Sequence, residues 1–466
     1  MNSPQNASTP NPVTALQPET IYSVGTLRYN KNQLVILFIW LMWNDFGITL
    51  LEAIGQLNGV MMRDHGATYT QMALLGSIGG FICPWINPWV STWSDRHRGP
   101  YGRRRPFLLV ATPIFACFLI ATPFMPDLFY FLERYPVMVR LFTHIPMNGP
   151  AFMIGICGLF NGMFNAVVLA IFSYLYWDVV PESVLGRFNS LKANVALIAG
   201  LVWSFFIYGQ AQTHMKEVYV GTGIFSLTVY LLSVWKIKEG EYPTPDEHKK
   251  GGAIFAPIRA YFVECFSDSF YLWIFGASLL YQLGNGGGWY QFNYLHYDLK
   301  LDLATLGWVD GWAKMATTGF GLVLGFAIGA MTDRLKPVRL MAPSYFILAL
   351  VVFWSYFFVH DKWTYLIAFC VRNLVQFVMG VIIGAFTVEV FPREKLGQFC
   401  SAQAVFYQFI CNASGPFVGM LFDWLKNNRL GFLWMSFFYA LSGVAYLKVY
   451  SNWKKRHGHM PLPHAG

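Results

Sequence analysis

The sequence predicts an all-helical membrane protein built from two parallel six-helix halves. Three observations carry this expectation. Apolar stretches long enough to cross a bilayer recur about twelve times. Only 12% of the 466 residues are charged, about half the share of an ordinary soluble chain, and 55% are hydrophobic. Finally, the cation-rich turn Asp95-Arg96-His97-Arg98-Gly99-Pro100-Tyr101-Gly102-Arg103-Arg104-Arg105-Pro106-Phe107 is echoed by Asp333-Arg334-Leu335-Lys336-Pro337-Val338-Arg339, each between two apolar runs.

The apolar runs place transmembrane helices near 33–60, 71–93, 106–124, 151–177, 190–209, 218–236, 270–295, 306–331, 338–358, 363–389, 401–423 and 430–450. Residues 1–28 are polar, with no apolar core or cleavage site, and read as a disordered cytoplasmic tail rather than a signal peptide. Residues 29–236 then form the N-terminal half and 270–451 the C-terminal half, with a second tail at 452–466. Two connections are long. Residues 125–150 leave room for an interfacial helix at Leu128–Leu141, and 237–269 form a linker whose amphipathic segment Ile254–Phe266 suits the membrane surface.

Basic residues set the orientation. With the N-terminus inside, 23 Lys and Arg fall on the cytoplasmic side, Lys192 among them, and eight on the outer side. Both termini are therefore expected in the cytoplasm, with the chain multi-pass in the plasma (cell inner) membrane. The net charge of +9 reflects this loop asymmetry. No basic amphipathic module accompanies it, so a nucleic-acid partner is not expected. The seven cysteines are scattered without a Cys-x-x-Cys pair, as small core residues rather than metal or disulfide positions.

A repeat is legible in two places. Asp95-Arg96 corresponds to Asp333-Arg334, and Asp178-Val-Val-Pro-Glu-Ser-Val-Leu-Gly-Arg-Phe-Asn-Ser190 aligns with Glu389-Val-Phe-Pro-Arg-Glu-Lys-Leu-Gly-Gln-Phe-Cys-Ser401. The offsets are 238 and 211, and their difference of 27 is close to the length of the 125–150 connection. Both copies fall on one membrane side, so the repeats are parallel.

Asp95-Arg-x5-Gly102-Arg-Arg-Arg-Pro-Phe resembles the loop between helices two and three of the major facilitator superfamily. More narrowly, it is similar to the sucrose:proton symporters and the glycoside–pentoside–hexuronide:cation symporters. The resemblance implies a gate latch carried by Asp95, Arg96, Gly102, Arg103 and Arg104, echoed by Asp333 and Arg334. Two features depart from those families. Their Asp-Pro step on helix two is Asn87-Pro88 here, so a sodium site built on that carboxylate loses its ligand, and the acidic residue of the sucrose carriers on helix four is replaced by Asn161 and Asn165. Ser91 stands where the superfamily motif has Gly.

Coupling chemistry must then come from elsewhere in the membrane, and helix one offers it. At 100° per residue, Glu52 and Gln56 lie within about 20° of Asp45, with Asn44 and Thr49 flanking. A mid-span carboxylate costs roughly 2.5–3.5 kcal/mol, so such a stripe must face a polar cavity or a partner. Burial disfavours the charged form of a carboxyl, as a proton-loading site requires. Asp45 or Glu52 is the expected proton-coupling group, with Arg372 on helix ten as its cationic partner; a purely structural ion pair is the other reading.

Helix seven repeats Gln282, Asn285, Trp289 and Asn293 at helical spacing, interrupted by Gly284 and Gly286–Gly288. Amides plus an indole suit sugar hydroxyls and a pyranose face, while the glycines predict a bend. A hinge whose amides satisfy freed backbone groups fits the same residues. Asn373 and Gln376 flank Arg372; by the 211 offset Arg372 matches Asn161, and Gln376 matches Asn165. Gln408 and Asn412 on helix eleven complete the candidate substrate-binding set with Asn44 and Gln56. Asp310 and Lys314 are four apart and read as a local ion pair on helix eight.

The expected function is secondary active transport: proton-coupled symport of a sugar or glycoside by alternating access, by a monomer without cofactor or metal. An exporter or antiporter of another small polar metabolite is the alternative, and a non-transporting membrane sensor on the same bundle is a further one. No nucleophile elbow, His cluster or metal spacing suggests an enzyme.

Overall fold

The bilayer allows a chain this apolar only structures that satisfy their own backbone, and the chain answers with helices. A computed structural model of the protein describes residues 22–97, 99, 101–240, 265–392 and 395–457. Most of the amphipathic segment Ile254–Phe266, residues 1–21 and 458–466 of the two tails, and the side chains of Asn87, Ser91, Asp95 and Arg96 lie outside the described residues.

Twelve long helices follow one another: α1 Lys31–Asp64, α2 Tyr69–Arg96, α3 Arg105–Ala121, α4 Gly149–Val179, α5 Leu185–Val202, α6 Met215–Lys236, α7 Ser269–Asn285, α8 Leu303–Leu335, α9 Pro337–Phe358, α10 Lys362–Val390, α11 Leu396–Leu425 and α12 Leu430–His457. Ten of the described segments are long and apolar enough to cross a membrane; α2 and α7 complete the two sets of six. An even number of crossings puts both chain ends at one face, called here the terminal face. Helix starts at the loops are capped by side chains that accept orphan N–H groups: Thr68 from Gln71 at 3.3 Å, Asp302 from Thr305 at 2.9 Å, Asp361 from Thr364 at 2.7 Å. The hydrogen bonds from Thr305 and Thr364 hold these two carboxyls below the usual carboxylate range.

Three expectations need correction. The tail does not extend to residue 28: Tyr22–Val24 pairs antiparallel with Leu27–Tyr29, turning at Gly25 with φ of +53°. The 125–150 connection holds two short helices, Met125–Leu132 and Pro136–Thr143, instead of one at Leu128–Leu141. Pro136 lacks the N–H that a continuous helix would need and starts the second piece. The second tail starts later than 452, because α12 continues to His457. Helix seven, by contrast, bends at Gly286 as its glycines predict, resuming as Gly287–Asn293.

Within the N-terminal half α1 packs on α4, α5 and α6; in the C-terminal half α12 packs on α7 and α9, and α10 on α8 and α9. The halves meet along two seams, α2 with α11 and α5 with α8. At the face opposite the termini these seams are bonded. Asp423 of α11 accepts from Tyr69 N at 2.9 Å, Thr70 N at 2.8 Å and Thr70 Oγ1 at 2.6 Å, so one carboxylate caps the start of α2 from across the seam. Tyr69 Oη donates to Asn428 at 2.5 Å, Tyr297 Oη to Asp64 at 2.7 Å, and Leu303 N to Gln212 at 2.8 Å. The molecule is closed at this face.

Replacing Asp423 with Ala removes a charged acceptor from three donors. Charge-assisted bonds contribute about 1.5–3 kcal/mol each, so the opposite face should open at least about tenfold more often. A single cysteine at Gln56, in a chain freed of its other cysteines, should then react about tenfold faster with an impermeant maleimide applied from that face.

Candidate functional site

Asp45 sits about 21 Å along α1 from Lys31, well inside the bilayer at 1.5 Å per residue. It is 2% exposed and Asn44 beside it is fully buried. Two neighbouring helices reach the pair. Tyr176 of α4 donates its hydroxyl to Asp45 Oδ1 at 3.2 Å and accepts from Asn44 Nδ2 at 2.6 Å. Lys192 of α5 places its ammonium 3.5 Å from Asp45 Oδ1 and 5.0 Å from the centre of the Tyr176 ring. Asp45 Oδ2 remains buried without a hydrogen-bond partner. The Lys192 side chain is 42% exposed, so the pair is joined to an open space on one side only.

Lys192 is the main correction to the orientation count, because it lies within α5 rather than in a loop. Its place was readable, since the apolar stretch 190–209 contains it. Arg372, expected opposite the helix-one carboxylate, instead donates Nη1 to Gln291 at 2.7 Å and lies over Phe369 at 4.7 Å. Gln291 follows the bend of helix seven, so Arg372 holds the outer segment of that helix to α10.

Glu52 and Gln56 are exposed although they share the stripe of Asp45. A contact two turns further along α1 explains this. A Cβ on Gly59 would lie 2.4 Å from Trp289 Cη2, so glycine alone lets the indole of helix seven close over α1. Counting seven residues from each partner toward the terminal face gives Glu52 on α1 and Gln282 on α7. The two helices run in the same direction, so Glu52 and Gln282 stand at about one depth, beneath the Gly59–Trp289 closure.

The remaining sequence candidates divide. Tyr439 Oη donates to Asn285 Oδ1 at 2.6 Å, and Asn285 Nδ2 donates to Gln282 Oε1 at 3.1 Å, which leaves the Gln282 amide hydrogens for other partners. Asn293 is fully buried and donates to Trp289 O at 2.7 Å, repairing helix backbone rather than lining a cavity. Asn373 likewise donates to Phe369 O at 2.8 Å. Asn161 turns away from the centre and donates to Phe115 O of α3 at 3.3 Å, and Asn165 buries an unpartnered Oδ1. Gln376 is half-buried and Gln408 exposed. Asn412 lies against Gly80 of α2 across the seam and receives Ser77 Oγ on its carbonyl at 2.6 Å. Asp310 and Lys314 do pair, at 2.5 Å, and Ser204, in the turn Trp203–Ile207 that continues α5, joins them by donating to Asp310 Oδ2 at 2.6 Å and accepting from Lys314 Nζ at 3.1 Å.

At the terminal face Gly102 takes φ of +91°, open to glycine without strain. This turn aims the N–H groups of Arg103, Arg104 and Arg105 at the carboxylate of Glu239, at 2.8, 3.0 and 2.8 Å. The Arg103 and Arg104 guanidinium groups meet Asp178 at the end of α4, at 2.5 and 3.3 Å, and Arg104 also donates to Ser94. Asp333 and Arg334 are exposed on the last turn of α8. Sequence reasoning missed Tyr176, Lys192, Ser204 and Glu239. Glu239 carried no signal, because nothing local marks a linker residue as the cap of a helix far away in the chain.

The profile of the Major Facilitator Superfamily matches residues 34–420. The chain belongs to this superfamily. It is therefore a membrane transporter and not an enzyme. No curated protein sequence matches it. Solved structures share the fold at low identity. A bacterial homologue of the iron transporter ferroportin in an inward-facing state is 13% identical with a TM-score of 0.62, covering 90% of this chain and 99% of that one. The nucleoside transporter NupG is 13% identical at 0.60, covering 90% and 99%. A D-xylose-proton symporter is 14% identical at 0.58, covering 89% and 96%.

The Glu239 cap should matter for the carrier's stability. Glu239→Ala strands three N–H groups at the start of α3 and should cost about 2 kcal/mol, read as a lower unfolding temperature in detergent. Glu239→Gln, which keeps an acceptor, should recover part of it. Gly102→Ala should behave like Glu239→Ala, because its Cβ would lie 2.8 Å from that carboxylate.

Proposed function

We propose that the carrier is a proton-coupled symporter of a sugar or glycoside, working by alternating access, with Asp45 as the coupling carboxylate. The observation behind this is the Asp45–Lys192–Tyr176 cluster: an intramembrane carboxylate with one ammonium, one phenol and one oxygen left unpartnered. Protonation of Asp45 cancels its attraction for Lys192 and loosens α5 from α1. Such a change couples a proton to helix movement without a metal. Glu52 is exposed where Asp45 is buried, which suits a solute ligand better than a coupling group. The neutral Gln282 amide, the Trp289 ring and the half-buried Gln376 favour hydroxylated solutes.

The carrier sits in the plasma (cell inner) membrane as a monomer with the terminal face in the cytoplasm. Without Lys192 the basic count is still 22 against eight for this orientation. The molecule is then closed to the outside. The latch role of Asp95, Arg96, Gly102, Arg103 and Arg104, with Asp333 and Arg334, belongs to the same proposal. The Arg103 and Arg104 contacts to Asp178 support it.

In proteoliposomes an inward proton gradient should drive sugar accumulation with or without sodium. Asp45→Asn should abolish at least about 90% of gradient-driven accumulation while leaving sugar exchange at equal pH, since only the titrating step is removed. Accumulation by Asp45→Asn at the wild-type level would remove Asp45 from the coupling role. Solute leaving against its gradient as protons enter would identify an antiporter instead.

A further inference from the structure

A cleft of about 170 Å³ lies inside the C-terminal half, between α7, α10 and α11, with α9 and α12 behind it. Its polar wall includes Ser278, Tyr281, Gln282, Gln403, Tyr407 and Tyr446. Gln403 and Asn412 are nine residues apart, on opposite sides of α11. Because Asn412 meets α2 at the seam, Gln403 points into its own half. Gln282 belongs to this wall and lies at about the depth of Glu52 on α1.

The hydrogen bonds already made around the cleft decide what it still offers. Gln403 donates Nε2 to Ser278 Oγ at 2.5 Å, which leaves its carbonyl oxygen as a free acceptor. Gln282 has its oxygen engaged by Asn285, which leaves its two N–H groups as donors. The Tyr407 hydroxyl can do either. A sugar hydroxyl both donates and accepts, and adjacent hydroxyls on a ring suit one fixed acceptor beside one fixed donor. The tyrosine rings supply flat apolar surface for the C–H face of the ring. The described wall of the cleft carries no charged side chain. An acidic sugar would bury its charge here without a cation to pair it.

We propose that this cleft binds a single neutral sugar ring and rejects its uronate counterpart, with Gln282 and Gln403 as the donor and acceptor that select vicinal hydroxyls. The inference rests on the sugar reading above and adds the place and the charge of the ligand.

The test pairs D-glucose, D-galactose and D-xylose with D-glucuronate and D-galacturonate. Counterflow by the full-length protein in proteoliposomes is measured beside equilibrium binding in detergent, read by tryptophan fluorescence. At least one neutral sugar should exchange and bind, with its uronate at one-tenth or less. Gln403→Ala and the milder Tyr407→Phe should each raise KM and the dissociation constant about tenfold with kcat within twofold. Exchange of a neutral sugar with wild-type constants in both variants would overturn the cleft while the sugar reading stood. Equal exchange of the uronate would overturn the charge selection. If no sugar exchanges but a neutral one binds and Gln403→Ala weakens it, the cleft stands and the symport reading falls. If none exchanges and none binds, both fall.

Discussion

The N-terminal half depends on a single constraint: the carboxylate of Asp45 has no water to solvate it. Left alone inside a bundle, such a charge costs several kcal/mol, and removing one partner of a buried pair typically costs about 3–5 kcal/mol. Asp45 on α1 therefore fixes where α4 and α5 can stand, because Tyr176 and Lys192 must both reach it. Asn44 extends the constraint by donating to the same phenol. The pair contributes less to net stability than to uniqueness, since only one mutual placement of three helices brings phenol, ammonium and amide to one carboxylate. Its unpartnered Oδ2 leaves the cluster one bond short of saturation, which suits a group that changes its protonation state.

The seam between the halves follows a different rule. Close approach there needs an absence of side chain: Trp289 occupies the space that any Cβ at Gly59 would fill, and Asn412 the space of a Cβ at Gly80. Polar bonds then gather toward the face opposite the termini, where Asp423 caps α2 and Tyr297 reaches Asp64. Shape complementarity places the halves, and exposed or half-exposed hydrogen bonds hold them. Such contacts can exchange with water when the seam parts, as buried ones cannot.

The fold was legible because a bilayer makes hydropathy nearly sufficient. Every apolar run placed near 33–60 through 430–450 corresponds to one of the twelve helices, and the bend at Gly286 lies in the run of glycines that foretold it. The site was legible as polar positions but not as partnerships. Periodicity put Asp45 and Glu52 on one stripe, yet it could not say that α5 buries the first while the second is left exposed. Arg372 is the more conspicuous cation, deep in the apolar run of helix ten, whereas Lys192 sits at the edge of the run 190–209, where loop and helix read alike. The amides show the same limit. Asn161 and Gln282 look alike in sequence, but one turns to a carbonyl of α3 and the other lines a cleft. Which neighbour an amide finds is a property of packing between helices, and a single sequence read alone does not contain it.

Helix α5 joins these two kinds of contact. Lys192 and Ser204 lie twelve residues apart, about 18 Å along it. The first meets Asp45 within its own half, and the second donates to Asp310 across the seam. Asp310 keeps Lys314 as a partner on its own helix, four residues on, so parting α5 from α8 breaks the two bonds of one neutral hydroxyl, to Asp310 and from Lys314, and strands no charge. Arg103 with Asp178 and Asp268 with Arg456 are likewise pairs internal to one half. Of the contacts that cross, Asp423 gives up neutral donors and would be left at a face that water reaches. The expensive charge pairings named here therefore travel with rigid halves, and the bonds that must break and re-form are those whose loss water can offset. A molecule that alternates between two closures needs this division, because an ion pair of the Asp45–Lys192 type placed across the seam would hold one state too deeply to leave.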